Sequence, residues 1–73
     1  MDIHYFKKAI LKLIEDSDRG KVLIGNIPYL LDLFGYEEVT NEAIKELIEA
    51  RVIETEVPSD YEHHVFIMLK KEN

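Results

Sequence analysis

Cysteine is absent from all 73 residues. Neither a disulfide framework nor a thiolate metal site is therefore available to staple the fold. A chain of this length has room for one domain, residues 1–73, and for one thin core. Serine occurs only as Ser17 and Ser59, each in turn-like sequence, and Gly20, Gly25 and Gly35 do not form a phosphate-binding loop. With no cysteine nucleophile and no clustered acid–base pair, an enzyme is not expected. His63 and His64 are neighbours, so on a strand they point to opposite faces, and His4 is remote in sequence. Surface histidines are the simpler reading, and neither a metal nor any other cofactor is expected. The longest apolar stretch, Tyr29 to Phe34, is interrupted by Asp32 and is far too short to span a bilayer. The opening Met1-Asp2-Ile3-His4 lacks the charged-then-apolar pattern of a signal peptide. The expectation is a cytoplasmic protein without a membrane partner.

What is present is an ordinary apolar content of 47% and an acidic balance, with a net charge of -6. The excess is unevenly placed. Residues 37–62 carry nine acids against Lys45 and Arg51, a local net of -7. Residues 1–36 carry five acids and five bases, and residues 63–73 add Lys70, Lys71 and Glu72. The acidity therefore belongs to the second half of the chain.

Asp2 can cap a first helix whose apolar residues recur at Ile3, Phe6, Ile10, Leu13 and Ile14, a three-four spacing. Ser17-Asp18-Arg19-Gly20 is a stop, and Val22-Leu23-Ile24 is a short β-branched run suited to one minimal strand. Asn26 then caps, with Pro28 in the first turn, a second helix expected to run through Leu31 and Leu33 to Phe34, ending at Gly35. Thr40 is expected to cap a third helix with Ala43, Ile44, Leu47 and Ile48 as its apolar stripe. After Arg51 the period becomes extended, with Ile53, Thr55 and Val57 on one face and Glu54 and Glu56 on the other. Pro58-Ser59-Asp60 is turn chemistry, and the strand from His64 to Leu69 is apolar on both faces. Such a strand usually lies between two others or under a cover.

Helix, short strand, helix, helix and a two-stranded hairpin is the element order of the winged helix-turn-helix superfamily, which this α+β chain resembles over nearly its whole length. The stretch from Thr40 to Ile53, a helix running through Leu47 and Ile48 into Val52-Ile53, looks like the family's third helix entering its first wing strand. The resemblance implies a three-stranded antiparallel sheet with the last strand in the middle. It also implies duplex DNA binding, with the third helix in the major groove and the wing near the backbone. Carried over to this chain, that helix would present Asn41, Glu42, Lys45, Glu46 and Glu49, and the wing tip Ser59-Asp60-Tyr61-Glu62. Phosphate neutralisation needs cations, and these surfaces are dominated by carboxylates.

The residues therefore favour a protein-interaction module whose acidic face, Glu42, Glu46, Glu49, Asp60 and Glu62, meets a basic surface on a partner protein. Carboxylates can stand in for phosphates, so a nucleic-acid mimic or inhibitor, of the kind a phage or mobile element would carry, suits the size and charge. If Val65, Ile67 and Leu69 face the helices, Phe66 and Met68 lie on the outer sheet face as a partner or dimer patch. Tyr36 and Tyr61 are further candidates for exposed aromatics. The alternative is a dimeric DNA-binding regulator that uses Lys7, Lys8, Lys12 and Lys45, with Arg19 and Lys21 beside them. A third reading is a homodimeric subunit of a larger assembly.

Overall fold

A computed structural model describes residues 2–57 and 64–71. The first helix, α1, spans Ile3–Asp16. The Asp2 carboxylate accepts the His4 N–H at 3.0 Å, a cap that stabilises a helix by about 1 kcal/mol. Phe6, Ile10 and Ile14 recur every four residues on one face and are fully buried. The Ser17 N–H and hydroxyl both donate to the Ile14 carbonyl, and Gly20, at φ +71°, turns the chain into the sheet.

Strand β1 is Lys21–Leu23. Ile24 begins a 3-10 turn instead of extending the strand, although its N–H still donates to the Val65 carbonyl at 2.9 Å. Helix α2 is a single turn, Ile27–Leu30, and not the longer helix expected to reach Phe34. Asn26 occupies its N-cap position without making a side-chain capping bond. The helix is closed by Asp32 in the left-handed region, φ 52°, and by the Leu33 N–H donating to the Pro28 carbonyl at 2.9 Å. This six-to-one closure is the Schellman geometry. A continued helix would have carried Phe34 round to the face of Ile27; the reversal at Asp32 buries Leu33 instead and leaves Phe34 54% exposed.

Helix α3 spans Glu37–Glu49 and starts three residues before Thr40, so Thr40 is not its cap. Tyr36 holds the cap position without a side-chain bond, while Glu37 and Glu38 place their charges in the first turn, where the helix dipole favours them. The Thr40 hydroxyl donates to the Tyr36 carbonyl one turn back at 2.8 Å. That bond satisfies the hydroxyl inside the helix and allows Thr40 to be buried, at 2% exposure. Ala43, Ile44 and Leu47 continue the buried stripe, but Ile48 lies at its edge and is exposed. The helix ends in a second Schellman closure. Arg51 sits at φ 61°, and the Val52 and Arg51 N–H groups donate to the Leu47 and Ile48 carbonyls at 3.0 Å.

Strands β2, Ile53–Glu56, and β3, Phe66–Leu69, pair antiparallel, and β3 also pairs antiparallel with β1. The order is β1-β3-β2, so the doubly apolar last strand is the central one. Among the described residues the protein is thus an α+β fold of three helices on a three-stranded antiparallel sheet. Val22, Ile67 and Ile53 face α1 and α3 and are buried with them in one core. The alternation expected along β2 does not last. Ile53 is buried against α3, but Thr55 is exposed and Val57, past the strand's end, is 52% exposed. This edge strand outruns the helices that would cover it. On β3, Leu69 is likewise exposed, and Val65 half-buried, at the ends of the face centred on Ile67.

Candidate functional site

The outward face of α3 repeats every three or four residues through Glu38, Glu42, Lys45 and Glu49, all exposed, with Asn41 beside them. Its regularity follows from the opposite face. Once Thr40, Ala43, Ile44 and Leu47 are buried, the remaining positions must be wet. Glu46 departs from this set. Its carboxylate accepts from the Lys7 Nζ at 2.7 Å, and both side chains are partly buried where α1 crosses α3. Lys45 makes no such ion pair with Glu42 or Glu49 among the described residues, so one cation lies within an otherwise anionic stripe. Asp60, Tyr61 and Glu62 of the expected wing tip, with Pro58, Ser59 and His63, lie outside the described residues.

The basic residues of the first half do not gather into one open patch. Lys7 is engaged by Glu46. Lys21 on β1 reaches over the central strand to Glu56 on β2 at 3.1 Å, its Nζ 4.9 Å from the centre of the Phe66 ring. Lys8, Lys12 and Arg19 remain exposed, the first two one turn apart on α1.

The register places Lys21, Met68 and Glu54 in one cross-strand row, and Leu23, Phe66 and Glu56 in the next. Directly opposed residues share a face, so Phe66 and Met68 do lie on the outer side of the sheet. Each is half-buried, and the Lys21–Glu56 pair crosses above Phe66. His4 and His64 are exposed, and no three His, Asp or Glu side chains among the described residues come together as a metal-binding group.

One surface escaped sequence reasoning. Tyr29 and Leu30 on α2 are 72% and 57% exposed, and Phe34 joins them, its ring packed edge-on to Tyr29 at a centroid distance of 5.0 Å. The signal that could have found it is Asp32. A polar residue tolerant of the left-handed region, placed inside an apolar run, marks the reversal that turns Phe34 outward. Leu30 also lines a groove of about 490 Å3 with Leu13, Leu23 and Phe66, bordered by Asp16 and Lys21. Tyr36 is exposed as expected, although its ring approaches the buried Phe6 at 6.0 Å.

These features define a small α+β domain with an acidic helix on one side and an apolar groove on another. No protein-family model, no curated protein and no solved structure matches the chain. No helix among the described residues is long and apolar enough to cross a membrane.

Proposed function

We propose that this chain is a protein-interaction module built on a winged-helix scaffold, with α3 turned to an acidic protein contact instead of to DNA. The observation that carries this reading is the exposed stripe Glu38, Glu42 and Glu49, relieved only by Lys45. The order of the helices and the sheet order β1-β3-β2 are those a winged helix requires. The sequence adds Asp60 and Glu62 between β2 and β3, where a wing that touches phosphates would carry arginine or lysine. A basic protein surface, including one that ordinarily holds nucleic acid, is the complement of such a face. Two cations of the competing DNA-binding surface, Lys7 and Lys21, are already held by carboxylates.

The test begins with a random-sequence DNA duplex at low salt, followed by anisotropy. No binding is expected; binding that fades steeply with added salt would restore the regulator reading. Capture from a lysate with wild-type bait and with a Glu38→Lys, Glu42→Lys, Glu49→Lys bait then tests the face directly. A partner retained equally by both would overturn the assignment. Glu46 is left intact because its reversal would also break the contact with Lys7.

A further inference from the structure

We propose that the free edge of β2 is a docking site for an extended segment of another protein, which joins the sheet as a further strand. This inference goes beyond the acidic-helix reading and does not depend on it. The sheet order β1-β3-β2 leaves one side of β2 without a neighbouring strand. Which backbone groups face that side follows from the register. Ile53 lies opposite Leu69, so Val52 lies opposite Lys70, and the Lys70 N–H donates to the Val52 carbonyl at 3.0 Å. In an antiparallel pair such bonded positions alternate with non-bonded ones. Glu54 and Glu56 therefore bond to β3, while the N–H and C=O groups of Ile53 and Thr55 point away from it. No other segment bonds to these outward groups among the described residues. Beside them lies a hollow of about 570 Å3, lined by Ile48 of α3 and by Ile53, Glu54 and Thr55, with Arg51 and Lys70 at its border.

Donors and acceptors repeated at strand spacing recognise an extended main chain, as in β-strand addition. A helix has already spent its own backbone groups, and neither lipid nor nucleic acid carries such a row. On the inner side, Ile48 and Val57 are 37% and 52% exposed, so β-branched residues of the added segment would cover them. On the outer side, Glu54 and Glu56 stand directly opposite the segment, and its residues there are therefore not acidic. The cations of this face do not reverse that choice. Lys21 lies on β1 and Lys70 just past β3, each at least one strand spacing, about 4.8 Å, further from the segment. The same glutamates exclude a second copy of this chain. Every antiparallel edge-to-edge register that uses both Ile53 and Thr55 sets Glu54 or Glu56 of one copy against Glu54 or Glu56 of the other, and like charges directly opposed destabilise a pair.

The probe is a short peptide of alternating valine and threonine, prepared unmodified, N-methylated on its valine amides, or N-methylated on its threonine amides. With valine on the inner side, the valine amides face β2 and the threonine amides face solvent. Binding is read from protein amide shifts at physiological salt. The unmodified and threonine-methylated peptides are expected to bind, and the valine-methylated peptide about tenfold more weakly, as the loss of hydrogen-bond donors implies. Thr55→Pro removes an outward N–H that β3 does not use, and should weaken binding of the unmodified peptide. Thr55→Val keeps that N–H and should bind as wild type does. Should Thr55→Pro fail to fold, the two methylated peptides on wild-type protein still decide. Three results would overturn the proposal. These are equal affinity for the two methylated peptides, no binding of any form, or a wild-type dimer in light scattering that Thr55→Pro dissolves. The Glu38→Lys, Glu42→Lys, Glu49→Lys variant should bind the unmodified peptide within about twofold of wild type, because the ladder supplies the contact. None of these results bears on capture through α3, so failure here and failure of the acidic-face reading are separable.

Discussion

Helices α1 and α2 are both drawn from apolar-rich sequence, and the protein uses them in opposite ways. Across 14 residues α1 repeats its apolar positions often enough to build a continuous face, and Phe6, Ile10 and Ile14 all disappear into the core. Helix α2 has four residues, so it owns a single inward position, Ile27, and the reversal after it contributes one more, Leu33. Tyr29, Leu30 and Phe34 are left in solvent. Length, more than hydrophobicity, decides whether an apolar run becomes core or surface.

That contrast can be broken by mutation. The largest effect is expected at Phe6→Ala, which should cost about 3 to 5 kcal/mol. Such a loss rivals the whole stability typical of a domain this small. Urea denaturation should show the variant largely unfolded without denaturant, whereas Leu30→Ser, though it also removes a large apolar group, should stay within about 0.5 kcal/mol of wild type. A cost for Leu30→Ser comparable to that for Phe6→Ala would mean that α2 is core after all.

Thr40→Asp sharpens the assignment of the α3 start. A capping position would accept aspartate at no cost, but a buried hydroxyl bonded to Tyr36 would not, and a loss of about 2 kcal/mol or more is expected in the same assay. Smaller still is the contact between α1 and α3. Lys7→Ala should cost about 0.5 to 1 kcal/mol, because the pair is only partly buried. Most of the difference from wild type should vanish in 1 M NaCl if charge is the cause. The smallest effect is a gain. Asp32→Gly should raise stability by about 0.5 kcal/mol, since glycine occupies the left-handed region without steric cost. A loss there would show that the Asp32 side chain contributes more than its backbone conformation.

Much of the architecture was legible because it is local. Asp2 as a cap and the stripe of Phe6, Ile10 and Ile14 need only helical geometry. The central position of β3 could be anticipated from its two apolar faces, since a strand that cannot offer a polar side to water needs neighbours. Where the fold departs from local pattern, the causes are equally definite. Threonine favours a capping position, but the first-turn glutamates and the hydroxyl bond from Thr40 back to Tyr36 allow the helix to begin earlier. Val57 follows an alternating pattern, yet no helix extends far enough to cover it.

The candidate surfaces divide in the same manner. The carboxylates of α3 were visible in composition, and their common face follows from the spacing of Ala43, Ile44 and Leu47. That Glu46 is spent on Lys7, and Lys21 on Glu56, was not visible. Those partners are 39 and 35 residues apart, and no local rule relates them. The groove beside Leu30 has the same origin, since it exists only where the end of α1, the start of β1 and the single turn of α2 meet. Backbone periodicity and capping act over a few residues and can be read along the chain. Ion pairs, grooves and the covering of a strand's far end depend on which distant segments share space, and only the packed fold supplies that proximity.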